Sequence, residues 1–303
     1  MRPAPPPPPA SLRRGFPPRF AIALCAIIWS TSGMFVKIVA WHPFVIAGAR
    51  SIVAGLFLCA VQLCTRKKGA PFLAGIKTLP AWLAGIAYCG TMILFVTANK
   101  LTASANVIVL QYTAPIWSAL FGALLIREKP KAEHWISLVF IFTGLYVMLK
   151  DSLMSGGITG DILAVCSGIL FGTTSVFMRM QKDANPQDGM ILSHILTAAI
   201  CVPFFFTHTP RITGGAALSI FFMGVFQIGT AAILYSYGIK RVSAVSAMLI
   251  SAIEPLFNPV WVFLATDEMP HKTTFAGGSL ILAAVLLANI VTWRREGREQ
   301  SHA

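Results

Sequence analysis

Windows of about 20 mostly apolar residues recur along this chain, separated by short connections. At 1.5 Å of rise per residue, each is long enough to cross the hydrocarbon core of a bilayer as a helix. The windows lie near 19–39, 43–63, 80–99, 103–126 and 134–150, and again near 160–180, 188–207, 215–238, 242–265 and 273–293. Composition closes off the soluble alternative. Only 12% of the 303 residues are charged, about half of what a water-facing domain carries, and mean hydropathy is +0.72. The sequence therefore predicts an all-α integral membrane protein with ten transmembrane helices. A proline-rich tail over 1–18 is expected to be disordered, and 294–303 is expected to form a cytoplasmic C-terminal tail.

Net charge is +13, but its placement argues against nucleic acid. The basic residues form no stripe with interleaved aromatics. Arg2, Arg13, Arg14, Arg19, Arg66, Lys67, Lys68, Lys77, Arg127, Lys129, Lys131, Arg179, Lys182, Lys240, Arg241, Arg294, Arg295 and Arg298 fall in segments on one side of the membrane. The other side holds Lys37, Lys100, Lys150, Arg211 and Lys272. By the positive-inside rule the first side is cytoplasmic, with both termini on it, in a cell (inner or plasma) membrane. The six cysteines are scattered through apolar runs without CxxC spacing, so no metal and no other cofactor is expected.

The two halves repeat. "WSTSGMFVK" (29–37) aligns with "FGTTSVFMR" (171–179), and 102–130 aligns without a gap on 242–270 at an offset of 140. That register superposes Pro115 on Pro255, Glu128 on Glu268 and Pro130 on Pro270. Each unit, 19–150 and 151–293, holds five spans, an odd number. The second copy must then be inverted relative to the first, as in many secondary transporters.

Ten spans in two halves, "W-S" or "F-G" in the first span of each, "AGARSIVAG" in the second and "P…E-x-P" closing the fourth resemble the drug/metabolite transporter superfamily, EamA type. The resemblance implies movement of a small metabolite through a central cavity by alternating access, without ATP hydrolysis. At "ATDEMP" the chain departs from the pattern, carrying Asp267 where a glycine before the glutamate is more usual.

Candidate site residues follow from comparing the halves. Glu254 corresponds to Ala114, so the fold itself does not require a carboxylate there. An acid at mid-bilayer costs at least about 2.5–3.5 kcal/mol, so it must face a wet cavity, meet a partner or hold a proton. Ser251, Glu254 and Asn258 share one helical face, and Gln111, Ala114 and Ser118 form its milder counterpart. Glu254 is a candidate for binding an amine, for exchanging a proton, or for a structural bond to the helix broken at Pro255. Arg50 reads either as an anion ligand or as a donor to carbonyls between helices. His194 lies at a similar level in the seventh span and reads as a packing residue or a ligand. Trp29, Tyr112 and Tyr235 are candidate aromatic walls. Glu128, being duplicated, reads as capping or pairing at a turn, and Gly168 with Gly172 as a close helix contact.

The function expected is secondary transport, export or exchange of an amino acid or related amine, with Glu254 and Arg50 receiving opposite ends of a zwitterion and Glu254 available for proton coupling. The expected partners are a small-molecule substrate and the lipid bilayer; a homodimer is compatible with this reading. The alternatives are a passive channel and a lipid-modifying membrane enzyme; no clustered His, Asp or Cys at an interface supports the enzyme.

Overall fold

The computed structural model describes residues 16–66, 71–102, 104–149, 157–257, 260–261 and 272–301. Most of the expected N-terminal tail, and Asn258, Pro259, Glu268 and Pro270, lie outside the described residues. Thirteen helices are named here: α1 (Pro18–Trp29), α2 (Ser32–Ile38), α3 (Pro43–Thr65), α4 (Leu79–Leu101), α5 (Ser104–Gln111), α6 (Ala114–Leu125), α7 (Ala132–Leu149), α8 (Ile158–Met180), α9 (Pro186–Thr207), α10 (Gly214–Phe222), α11 (Ala231–Ile239), α12 (Ala244–Ser251) and α13 (Lys272–Ser301). A π-helical segment, Met223–Thr230, joins α10 to α11 as one span. Six spans are long and apolar enough to cross a membrane, and four shorter apolar helices accompany them. With α1 and α2 forming one span, and α5 and α6 another, ten spans result among the described residues, none of which is in a strand. The last helix runs on to Ser301, past the expected end of its span.

Packing carries the symmetry that the repeat implies. The second span, α3, packs on the seventh, α9; α6 of the fourth packs on α12 of the ninth; and α7 packs on α13, the fifth on the tenth. Each pairs a span with its own counterpart. The third span packs on the sixth (α4 on α8), and the first on the eighth (α1 on α11); a two-fold exchange of halves converts one of these contacts into the other. Trp29 and Phe171, counterparts in the repeat, meet edge to face at 5.3 Å. Such self-contacts mark a pseudo-two-fold axis.

Both repeats break one helix at matched points. In the fourth span the helix stops at Gln111, turns through Tyr112 and Thr113, and restarts at Ala114. The ninth stops at Ser251, turns through Ala252 and Ile253, and restarts at Glu254. The tightened i→i−3 bonds recur as well, Thr113 N–H to the Leu110 carbonyl and Ile253 N–H to that of Ile250, each 3.2 Å. The cause is Pro115 and Pro255. A proline withholds the N–H that the carbonyl four residues earlier would accept. A third break, between α1 and α2, has a different origin. The Ser30 and Thr31 hydroxyls donate to the carbonyls of Ile27 (2.5 Å) and Ile28 (2.9 Å), competing with the helical ladder.

The small-residue seam expected at Gly168 and Gly172 is used against the broken span. A Cβ on Gly168 would lie 2.8 Å from the Gln111 carbonyl oxygen, and one on Gly172 would meet the Ala114 carbonyl oxygen closer still. Glu128 both pairs and caps. Arg127, at φ 56°, turns the chain back after α6, and Glu128 Oε1 accepts from Arg179 Nε at 2.7 Å. Its other oxygen accepts the Ala244 N–H, which opens α12, at 3.1 Å. Arg179 also donates to the carbonyls of Ile239 (3.1 Å) and Lys240 (2.6 Å) at the end of α11. This one cluster ties both halves on the basic face. At the opposite face His42, just before α3, stacks on His208, just after α9, at 4.0 Å.

Two outcomes follow. Gly172→Leu forces α8 away from the broken span, and we expect a loss of about 1–3 kcal/mol, read as a lower melting temperature in fluorescence-detected size exclusion. Burial and the neighbouring His208 hold the His42 imidazole below its ordinary value. The neutral stack is therefore complete above about pH 6.5 and is lost as pH falls through the lowered value. Thermal stability should drop on acidification below that point, and less steeply in His42→Phe.

Candidate functional site

Where the broken helices meet, a narrow cavity of about 30 Å³ lies between the halves. Trp29 and Ser32 reach it from the break in the first span, Gln111 from the break in the fourth, and Glu254 from the break in the ninth. Helix breaks gather polar groups here because the interrupted ladder exposes backbone that neighbours must satisfy. Arg50 enters from α3, Tyr88, Thr91, Met92 and Phe95 from α4, Phe171 from α8 and Gln227 from the π segment.

The two charged groups stand on different halves. Arg50 is 1% exposed and Glu254 6%, and no ion pair joins them among the described residues. One Arg50 Nη donates to the Met92 carbonyl at 3.3 Å and approaches Met92 Sδ at 3.4 Å. Its buried Nε has no partner. Arg50 thus does part of what the structural reading asked, with donor capacity left over beside the pocket. Glu254 Oε2 lies 2.9 Å from the Tyr112 hydroxyl. That hydroxyl also lies against the carbonyl oxygen of Ser251, the one left without a helical donor by Pro255.

The remaining candidates separate into wall and support. Gln111 lines the pocket and donates through Nε2 to Ser167 Oγ at 2.9 Å, which in turn donates to the Thr91 carbonyl at 3.3 Å. Trp29 lines it too, between Phe171 and Tyr235, each ring centroid 5.3 Å away. Tyr235 stands behind Trp29 and donates to Ser175 at 2.8 Å. Tyr112 stands behind Glu254. The Ser251 hydroxyl turns back to the Ala247 carbonyl at 3.0 Å. His194 is buried off the pocket, edge-on to Tyr88 at 5.9 Å, with neither ring nitrogen partnered. Asn258 is outside the described residues.

Sequence reasoning missed Gln227 and Tyr88. Gln227 had a signal, since it is the lone amide in the run 215–238 and stands between Gly224 and Gly229. Those glycines let the π segment press on α3, where added Cβ atoms would meet Val53 and Phe57 at 2.5 Å. The Gln227 side chain is 5% exposed and its oxygen has no partner. π-helical turns often accompany functional sites. Tyr88 had no signal; nothing in its apolar window distinguishes it from a packing residue.

Broken helices meeting at a polar pocket between inverted repeats are an architecture of membrane transporters. The chain belongs to the EamA-like transporter family, which matches residues 18–150 and again 158–290. It is 27% identical over 278 residues to an uncharacterized transporter of Archaeoglobus fulgidus, covering 90% of this chain and 95% of that protein. It is 24% identical over 277 residues to the uncharacterized inner membrane transporter YedA of Escherichia coli (strain K12), covering 87% and 88%. A third relative, the pseudopaline exporter CntI of Pseudomonas aeruginosa (strain UCBPP-PA14), is 25% identical over 187 residues, 60% of this chain and 64% of that one. A crystal structure superposes with a TM-score of 0.76 over 92% of this chain and 98% of the other, at 21% identity, and shows the same fold.

The two glutamines make a discriminating pair. Gln111→Leu leaves Ser167 short of a donor and should cost about 1 kcal/mol of stability. Gln227→Leu removes a buried amide whose oxygen is unpaired, so the melting temperature should hold or rise. Thermal unfolding of the two purified variants checks this, and equal destabilisation would contradict the placement.

Proposed function

We propose that this transporter is a secondary carrier of a small zwitterionic or amine metabolite, an amino acid or close relative, moved through the central pocket by alternating access. Arg50 takes the carboxylate end and Glu254 the amine end, and Glu254 exchanges a proton during the cycle. The observation that carries this reading is that Arg50 and Glu254, on opposite halves, line one pocket without pairing with each other. Once Glu254 has released its proton, two opposite charges held apart in a low-dielectric site are strongly attractive to a solute that bridges them. Aromatic faces from Trp29 and Phe171 complete a wall suited to a cationic group. Rocking of the halves about the pseudo-two-fold would open the pocket to each side in turn.

Export is the favoured direction, in line with the exporter among the relatives. The Lys and Arg distribution supports an inner-membrane location with both termini in the cytoplasm.

The test begins with a thermal-shift screen of the purified protein against amino acids and amines, because ligands of the native state raise its melting temperature. Hits then enter counterflow in proteoliposomes. Saturable counterflow is expected in the wild type. Glu254→Gln and Arg50→Gln should each weaken solute binding about 10- to 100-fold, the worth of a hydrogen bond to a charged group. Flux without saturation or counterflow marks a channel, and unaltered exchange by Glu254→Gln at every pH removes the carboxylate from the mechanism.

A further inference from the structure

We propose that Glu254 carries its proton in this conformation and donates it to the Tyr112 hydroxyl, making Tyr112 the positioning residue through which that proton joins the two broken helices. The inference deepens the reading above, since it rests on Glu254 as the pocket carboxyl that exchanges a proton.

Hydrogen-bond accounting carries it. The Tyr112 oxygen lies 2.9 Å from Glu254 Oε2 and within bonding distance of the Ser251 carbonyl oxygen. A phenol has one proton to give, and a carbonyl oxygen can only accept. The helical donor for the Ser251 carbonyl would be residue 255, a proline, which has no N–H. If Tyr112 gives its proton to Glu254, that carbonyl is left with no donor in a medium where an unmet group is costly. If Tyr112 gives it to Ser251, the contact with an ionised Glu254 sets two acceptors against each other. One arrangement satisfies all three groups: Glu254 O–H donates to Tyr112, and Tyr112 O–H donates to Ser251.

The titratable groups around the carboxyl do not supply an alternative donor. Cys25 on α1 and Tyr88 on α4 are within electrostatic reach of it, Tyr235 on α11 within reach of Tyr112, and Arg50 on α3 lines the pocket without pairing to it. None of them donates a hydrogen bond to Glu254. The bond crosses the halves, since Tyr112 lies in the turn between α5 and α6 and Glu254 opens the helix that restarts after the matching turn. On release, the carboxyl O–H breaks heterolytically. The electron pair stays on the carboxylate and the proton passes to water entering the pocket. Tyr112 is then left with one proton for two acceptors, and the join between the halves loses a bond.

Infrared difference spectroscopy of the full-length protein in lipid vesicles at pH 7 tests this without any solute. A protonated-carboxyl band is expected in the wild type and absent from Glu254→Gln. Tyr112→Phe, which removes the acceptor, should move that band to higher frequency. Pro255→Ala restores an N–H for the Ser251 carbonyl and frees the Tyr112 proton for the carboxylate; the protonated fraction should fall by roughly half or more. A missing Glu254-dependent band in the wild type, a band unmoved by Tyr112→Phe, or an unchanged fraction in Pro255→Ala each overturns the proposal. Because no solute is involved, these failures leave the counterflow result standing, and absent counterflow with the band in place counts against the carrier reading alone.

Discussion

Lipid offers nothing to a bare carbonyl, and that constraint organises the middle of this molecule. Each half places a proline just past a helix turn, at Pro115 and Pro255, and each proline takes the donor from a carbonyl near mid-membrane. An unmet group there costs several kcal/mol, so neighbouring elements are drawn in. At Ser251 the answer is a phenol from the other half, Tyr112. At Gln111 the neighbour is α8, which approaches through Gly168 and Gly172. The breaks that look like defects in single helices are therefore the points at which the halves are joined.

A symmetric scaffold carries an asymmetric set of side chains. The packing of second on seventh, fourth on ninth and fifth on tenth span obeys the two-fold exchange. The residues at the axis do not. Ala114 faces the repeat position of Glu254, and Ala252 that of Tyr112. Arg50 has its helix against α9, where His194 occupies a similar level with unpartnered nitrogens. Duplication supplies the symmetric body, and divergence of a few positions supplies a pocket with two different ends. Selectivity belongs to the second process.

The ends of the molecule are held by chemistry of different kinds. On the basic face Glu128 and Arg179 form an ion pair that also takes up the Ala244 N–H and the last carbonyls of α11. With side chains only 15% and 25% exposed, it is screened less by salt than a surface pair. On the opposite face, the His42 and His208 stack sits where α3 and α9 meet, and its strength depends on the His42 ring staying neutral. These two contacts, one at each face, respond to different conditions.

The ten spans, the inverted repeat and both proline breaks were legible in the chain, because each follows from local rules. Hydrophobic length sets a span, an odd span count sets inversion, and a proline removes a donor wherever it stands. Glu254, Arg50, Gln111 and Trp29 were legible as well, as polar or duplicated residues in stretches where lipid tolerates few. The sequence could not say that Tyr112 and Tyr235 would stand behind the wall, that His194 would lie off the pocket, or that Tyr88 and Gln227 would form part of it. Nor could it find the break at Ser30 and Thr31. Those outcomes depend on which helix faces which, and on where one carbonyl finds its donor. Tertiary structure decided them, because a side chain's role in a dry interior is set by partners remote along the chain.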